Sequence, residues 1–217
     1  MQYFFLIKFG EKQHLEQLQK EGLIYCNSIK YFAEVEQADG KKDITESYSK
    51  LEYFEKTFLY MREAENPHSK WLKIKVEKGQ YIESHQYPLG NLYCMSAIPV
   101  KPYKNLRSLE INNKLEKLGK HCLLIHDQNK FFERLDAELE KTPFSYCRKK
   151  VKYINLKKFS GQKNLFQKDK LFDYQQELRI VIHTESTSAY KLTIGSLEDI
   201  SVLLEFDSLK YSKYSRT

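Results

Sequence analysis

Proline and glycine are scarce in this chain, 5 and 8 among 217 residues. A disordered or linker-built protein carries more of both, and with 41% hydrophobic and 14% aromatic residues this one has the means to bury a core. No internal repeat and no low-complexity stretch divides it, so a single domain over residues 1–217 is expected. Cys-x-x-Cys pairs are missing too. Cys26, Cys94, Cys122 and Cys147 stand far apart with no histidine at short spacing, which argues against a zinc site and for free, mostly buried thiols in a reducing compartment. No apolar run approaches a membrane span, and the opening MQYFFLIKFG meets a charge too soon for a signal peptide. A soluble, cytoplasmic protein with no membrane contact is expected. There is no Gly-rich phosphate loop and no nucleophile elbow. The histidines, from His14 to His183, form no useful spacing, and no metal is expected.

What is present is charge and strand-forming sequence. Lys and Arg outnumber Asp and Glu by 36 to 29, giving +7. That balance suits a polyanion or a phosphate-bearing ligand, although the charges are interspersed. Gln2 to Phe9 reads as a strand ended by Gly10. Glu11 to Gly22 reads as a helix with Leu15 and Leu18 on one face and the glycine at its C-cap, and Leu23 to Cys26 as a second strand. From Phe32 the chain turns acidic, and a loop-rich insertion is expected over about 33–70. Its carboxylates lack the alternating oxygen ligands of a calcium loop; a solvated loop is one reading, and a metal-dependent nuclease built on Glu36, Asp43 and Glu46 another.

Further on, Trp71 to Val76 alternates as a strand, and Asn91 to Ile98 is an apolar run bounded by Gly90 and Pro99, long enough for a central strand. His121 to His126 reads as a buried strand. A helix from about Lys130 to Glu140 follows, capped by Asp127 or Asn129, with Phe131, Leu135 and Leu139 on one face. Arg148 to Leu156 is a strand, 157–170 a basic loop, and 192–204 a strand, turn and strand, with a frayed tail from Asp207. Strands outnumber helices, which argues for α+β over a doubly wound sheet.

The stretch Phe172 to Ile182 holds the chemistry. Leu178, Ile180 and Ile182 alternate with Glu177, Arg179 and Val181, the period of a strand with one buried face. Glu177 and Arg179 then point away from the core together, and either pair at an exposed edge or line a cleft. Gln175, two residues before Glu177, puts an amide and a carboxylate near one point. There the amide can orient a nucleophile while the carboxylate accepts a hydrogen bond from a sugar hydroxyl.

The order of these elements, a first strand, a helix running into glycine, a second strand, and much later a strand entered through Gln175-Gln176-Glu177, resembles the ADP-ribosyltransferase fold. Tyr3 to Cys26 is similar to the start of its toxin-type members that modify DNA or RNA. The fold class this implies is α+β, a strand-rich mixed or antiparallel split-sheet core of ADP-ribosyltransferase type with a few flanking helices. In the family the first strand carries an Arg or His that holds NAD; here the position falls on Lys8, a departure. Lysine meets a phosphate as a point charge, without the planar fork of arginine.

The family's middle strand bears a Ser or Tyr that shapes the nicotinamide pocket, for which Tyr93 and Ser96 are the candidates, although a Ser-Thr-Ser run is absent. The resemblance makes Glu177 the carboxylate that holds the ribose hydroxyl and stabilises the oxocarbenium-like transition state as nicotinamide leaves. Gln175 resembles the arrangement in members that act on asparagine or guanine. Lys8 or Arg179 would meet the diphosphate of NAD, and Phe172 and Tyr174 at the rim would stack on a ring or else belong to the core.

The implied activity is transfer of ADP-ribose from NAD to a nucleic acid or protein acceptor, by a toxin or phage-defence effector. RNA or DNA would dock on the basic loop 157–170, whose alternative is a solvated surface run, and an antitoxin or inhibitor protein is a candidate partner. Lys8 in place of Arg or His favours the other reading, a non-catalytic nucleotide- or protein-binding module of phage or mobile-element origin.

Overall fold

The first twenty-odd described residues build as local chemistry dictates. Strand β1 (Phe4–Gly10) leads into helix α1 (Lys12–Glu21), which buries Leu15 and Leu18, and strand β2 (Leu23–Ser28) follows. Gly22 ends α1 in the left-handed region at φ 67°, its N–H donating to Leu18 O. A Cβ at Gly22 would lie 1.9 Å from Gly195 O, so both the conformation and the close approach require glycine. The computed structural model describes residues 4–35, 44–84, 90–103, 106–109, 111–210 and 213–214.

The remaining strands and α-helices are α2 (Ile29–Val35), β3 (Tyr48–Met61), β4 (Leu72–Ser84), β5 (Asn91–Tyr103), β6 (Leu106–Leu109), β7 (His121–Ile125), α3 (Gln128–Leu139), β8 (Tyr146–Lys150), β9 (Lys152–Ile154), β10 (Gly161–Gln162), β11 (Gln167–Asp169), β12 (Glu177–Ile182), β13 (Tyr190–Thr193), β14 (Ser201–Glu205), α4 (Phe206–Lys210) and β15 (Lys213–Tyr214). The fold is mixed α+β, strand-rich and built on antiparallel pairing. Helix α3 starts where its cap predicts, with the Asp127 carboxylate accepting from Lys130 N and Phe131, Leu135 and Leu139 buried.

The main sheet runs β13-β2-β5-β1-β7-β14, and β12 joins it on β5 with β8 beyond. Strand β5 is therefore central. Along one edge it pairs with β12 from Asn91 to Ser96. Along the other it pairs first with β2, at Asn91 and Leu92, and then with β1, from Ser96 to Pro99. The two faces carry different cores. Leu6, Tyr93, Met95, Leu178 and Ile180 face α1 and α3, while Ile7, Ile98, Leu92 and Val181 face the other side.

Several expectations are corrected. Strand β5 continues through Pro99 to Tyr103. Beyond Ser96 its ladder with β12 has ended, and a proline fits a strand where its missing N–H is not required. The expected loop-rich 33–70 holds the end of α2 and the whole of β3, which pairs with β4 as a long ribbon. Its aromatic and charged residues hide the period because both faces are exposed over its outer half. Asp207 to Lys210 is helical, with Leu209 fully buried, rather than frayed. The two strands expected over 192–204 are present as β13 and β14, which join β2 and β7. Glu36, Asp39, Gly40 and Asp43 lie outside the described residues, and with them most of the nuclease reading.

Candidate functional site

The sheet forks at β5. Between Leu92, the last residue paired to β2, and Ser96, the first paired to β1, the residues Tyr93, Cys94 and Met95 have no ladder partner on that edge. An unpaired strand carbonyl in a protein interior must find another donor. Lys8 supplies it at the point where β1 leaves β5: Nζ donates to Cys94 O at 2.7 Å and lies 4.4 Å from the centre of the Tyr93 ring. Burial pushes the Lys8 ammonium below its ordinary pKa; the neighbouring Cys94, Cys26 and Glu177 pull it back in part. Cys26 beside it is pushed up to about 12 by burial.

Because β1, α1 and β2 diverge from this point, they enclose a cavity of about 540 Å³, within the range of small-molecule sites. Lys8, His14, Tyr25, Asn27, Tyr31 and Tyr93 are among its lining residues. Tyr93 is only 2% exposed, and its hydroxyl has no hydrogen-bond partner among the described residues. Burial also pushes its phenol pKa up, so the hydroxyl keeps its proton and a donor to offer.

On β12, across β5 from the fork, Glu177 stands opposite Ser96 and Arg179 opposite Cys94. The expectation that this pair looks outward is corrected. Arg179 is 1% exposed and the Glu177 side chain 12%, because the 160s segment and β11 bring Leu165 and Lys168 against that face. Arg179 donates through Nε and Nη2 to Glu177 Oε2 at 3.0 and 2.9 Å, and through Nη1 to Leu165 O at 2.6 Å. Lys168 Nζ lies 3.6 Å from Glu177 Oε1. Tyr153, through its hydroxyl, accepts from the Glu177 backbone N–H at 2.8 Å.

Of the sequence-predicted site residues, Lys8 and Tyr93 therefore share the fork cavity, and Ser96, Glu177 and Arg179 share the other face of the sheet. Strand alternation does not carry from Gln175 to Glu177. Gln175 ends a tight turn over 170–175, and Gln176 between them is left-handed at φ 47°. Gln175 is buried beside Tyr174, its Nε2 3.4 Å from the phenol oxygen and its Oε1 without a partner among the described residues. Tyr174 packs on the core beside Leu115 and Phe206 rather than standing free at a rim. In the basic loop, Lys163 and Lys168 are buried, leaving Lys157, Lys158 and Lys170 exposed.

Sequence reasoning missed Tyr153 and the role of Lys168. The signal for Lys168 was its place in a short Gln-Lys-Asp strand just ahead of Glu177, and nothing local marked Tyr153. Among the described residues no group of three or more His, Cys, Asp or Glu is gathered to hold a metal ion, and no helix is long and apolar enough to cross a membrane. Compared with protein-family models, with curated proteins and with solved structures, the chain matches none.

Proposed function

We propose that the chain is an ADP-ribosyltransferase-like protein that takes NAD at the fork and transfers ADP-ribose to a nucleic acid or protein acceptor. One observation carries this reading: Lys8, Tyr93 to Ser96 and Glu177, far apart in the chain, lie on three neighbouring strands with β5 in the middle. Lys8 provides a point charge for the diphosphate, and Tyr93 a ring and an unspent hydroxyl for the nicotinamide end. Glu177, fixed by Arg179 and Lys168, provides the preorganised carboxylate that stabilises positive charge developing on the ribose. For this chemistry a ligand in the fork has to meet Glu177 past β5, and the gap in the ladder at Tyr93 to Met95 is the opening that the reading requires.

A second reading has its own observation. Glu177 already holds two cations and is not in the lining of the fork cavity, the arrangement of a binding module that keeps the cavity without the transfer chemistry.

Nicotinamide release from NAD by the purified chain, with and without added RNA, DNA or cell lysate, separates the two. The transferase reading expects acceptor-dependent release that is lost in Glu177→Gln while NAD still raises the melting temperature of that variant. No release, with a thermal shift from NAD that vanishes in Lys8→Met, establishes the binding module. Neither release nor shift removes both.

A further inference from the structure

The ribbon β3–β4 is absorbed by neither reading. Its base is tied to the body: Leu51 is buried, Lys163 N donates to Ser49 O, and Gln80 Nε2 donates to Leu156 O. Its outer half carries large side chains that are 37% to 61% exposed, Phe58 to Met61 on one strand and Trp71, Leu72 and Ile74 on or beside the other. The register sorts them into two unlike faces. Phe58 pairs with Lys75 and Tyr60 with Lys73, which makes one face aromatic and cationic; Leu59 pairs with Ile74 and Met61 with Leu72, which makes the other aliphatic. Lys73 Nζ lies 3.9 Å from the Phe58 ring centre, and at the tip Arg62 lies 4.7 Å from the centre of Trp71. Between residues 56 and 78, six Lys and Arg stand against three Glu.

We propose that the aromatic face of this ribbon binds single-stranded nucleic acid. Exposed rings with cations beside them are what unpaired bases and their phosphates require, the rings stacking on bases and the cations meeting the backbone. A duplex groove is the wrong receptor. Its bases are paired and stacked, so they present edges to the groove and leave no ring face for Phe58 and Tyr60 to stack on. Face-to-face pairing of two copies through the aliphatic side falls short on area. Four half-exposed side chains per copy bury several hundred Å² in total, against the roughly 1,200 Å² or more of a stable interface. The inference stands apart from the fork: a chain inert toward NAD would still bind.

The test is fluorescence anisotropy of a labelled oligothymidylate of about 16 nucleotides, with Trp71, the chain's one tryptophan, as an internal reporter. Binding is expected with quenching of Trp71. Phe58→Ala with Tyr60→Ala is expected to weaken it roughly tenfold or more. Lys73→Ala with Lys75→Ala is expected to make the log–log salt dependence shallower by about 1.4, at about 0.7 per phosphate contact on a single strand. Leu59→Ser with Leu72→Ser, on the opposite face, is expected to change neither.

Absence of binding and of Trp71 quenching at low salt overturns the proposal without recourse to any variant. So does binding that survives the aromatic pair or is lost with the aliphatic pair. Cosedimentation with phosphatidylserine vesicles that the oligonucleotide does not compete away assigns the ribbon to a membrane surface instead.

Discussion

Strands β12 and β4 carry the same written pattern and meet opposite fates. Glu177-Leu178-Arg179-Ile180 and Leu72-Lys73-Ile74-Lys75 both alternate apolar with charged residues. In β12 both faces are covered, and its charges are spent on one another: Arg179 is held by Glu177 and Leu165 O. In β4 both faces of the outer half are open, and its charges sit over aromatic rings or in exposed pairs. Alternation reports the pleat, not what lies on either side of it. What decides is what packs on the faces: the 160s segment and β11 lie against one face of β12 and the core of Leu178 and Ile180 against the other, whereas among the described residues nothing covers the outer half of β4.

The largest way to break this comparison is to remove one charge from β12. Arg179→Ala leaves Glu177 buried with its principal hydrogen-bond donor gone, and stranding one member of a buried ion pair costs about 3–5 kcal/mol. Urea denaturation of the purified chain should show that loss as a lower midpoint with an unchanged slope. A loss below about 1 kcal/mol would mean that water reaches the pair, and that β12 and β4 are alike after all.

The parts of the fold that were legible are those set by nearby residues. The C-cap at Gly22, the Asp127 cap and the Phe131-Leu135-Leu139 stripe each draw on a single turn of chain, and each is where the sequence puts it. Asn91 to Ile98 was readable as a central strand because a run buried on both faces needs no period. The burial of Arg179 was not readable, because the segment that closes over it comes from the 160s, through Leu165 and Lys168. Nor was the turn at Gln176: the left-handed residue there is not a glycine and carries no local signature to show that Gln175, at the mouth of the strand, ends a tight turn. The fork itself was invisible, since it is a relation among three strands and belongs to none of them.

Lys8 is an intermediate case, a cation on a strand edge with a carbonyl for a partner, and it sharpens the comparison through pH. Burial lowers its folded pKa, while the unfolded chain keeps the ordinary 10.5. Between those values the unfolded state binds the extra proton, so stability rises with pH; below the folded value the cost of burying the ammonium is present in full. Relative to Lys8→Met, the native chain should gain stability as pH climbs toward 10.5, by at most about 1.4 kcal/mol per pH unit for one proton. Cys122, pushed up to about 12 by burial, works the other way above its usual 9.0, but it is common to both proteins and cancels in the difference. Parallel stability curves for the two proteins would place the Lys8 ammonium in water.

The smallest expected effect is on the ribbon, and its smallness is the point. Lys75 lies 2.7 Å from Glu77, but both side chains are about two-thirds exposed, at 66% and 68%. Such a pair is screened by solvent and salt, and Lys75→Ala should move the unfolding free energy by no more than about 0.5 kcal/mol. The same substitution, made together with Lys73→Ala, is the one expected to flatten the salt dependence of oligonucleotide binding. A charge held by the fold shows in stability, and a charge held for a partner shows in binding. If Lys75→Ala destabilised the chain as Arg179→Ala does, the outer ribbon would be packed against something in the native protein, and its exposed face would not be a surface for nucleic acid.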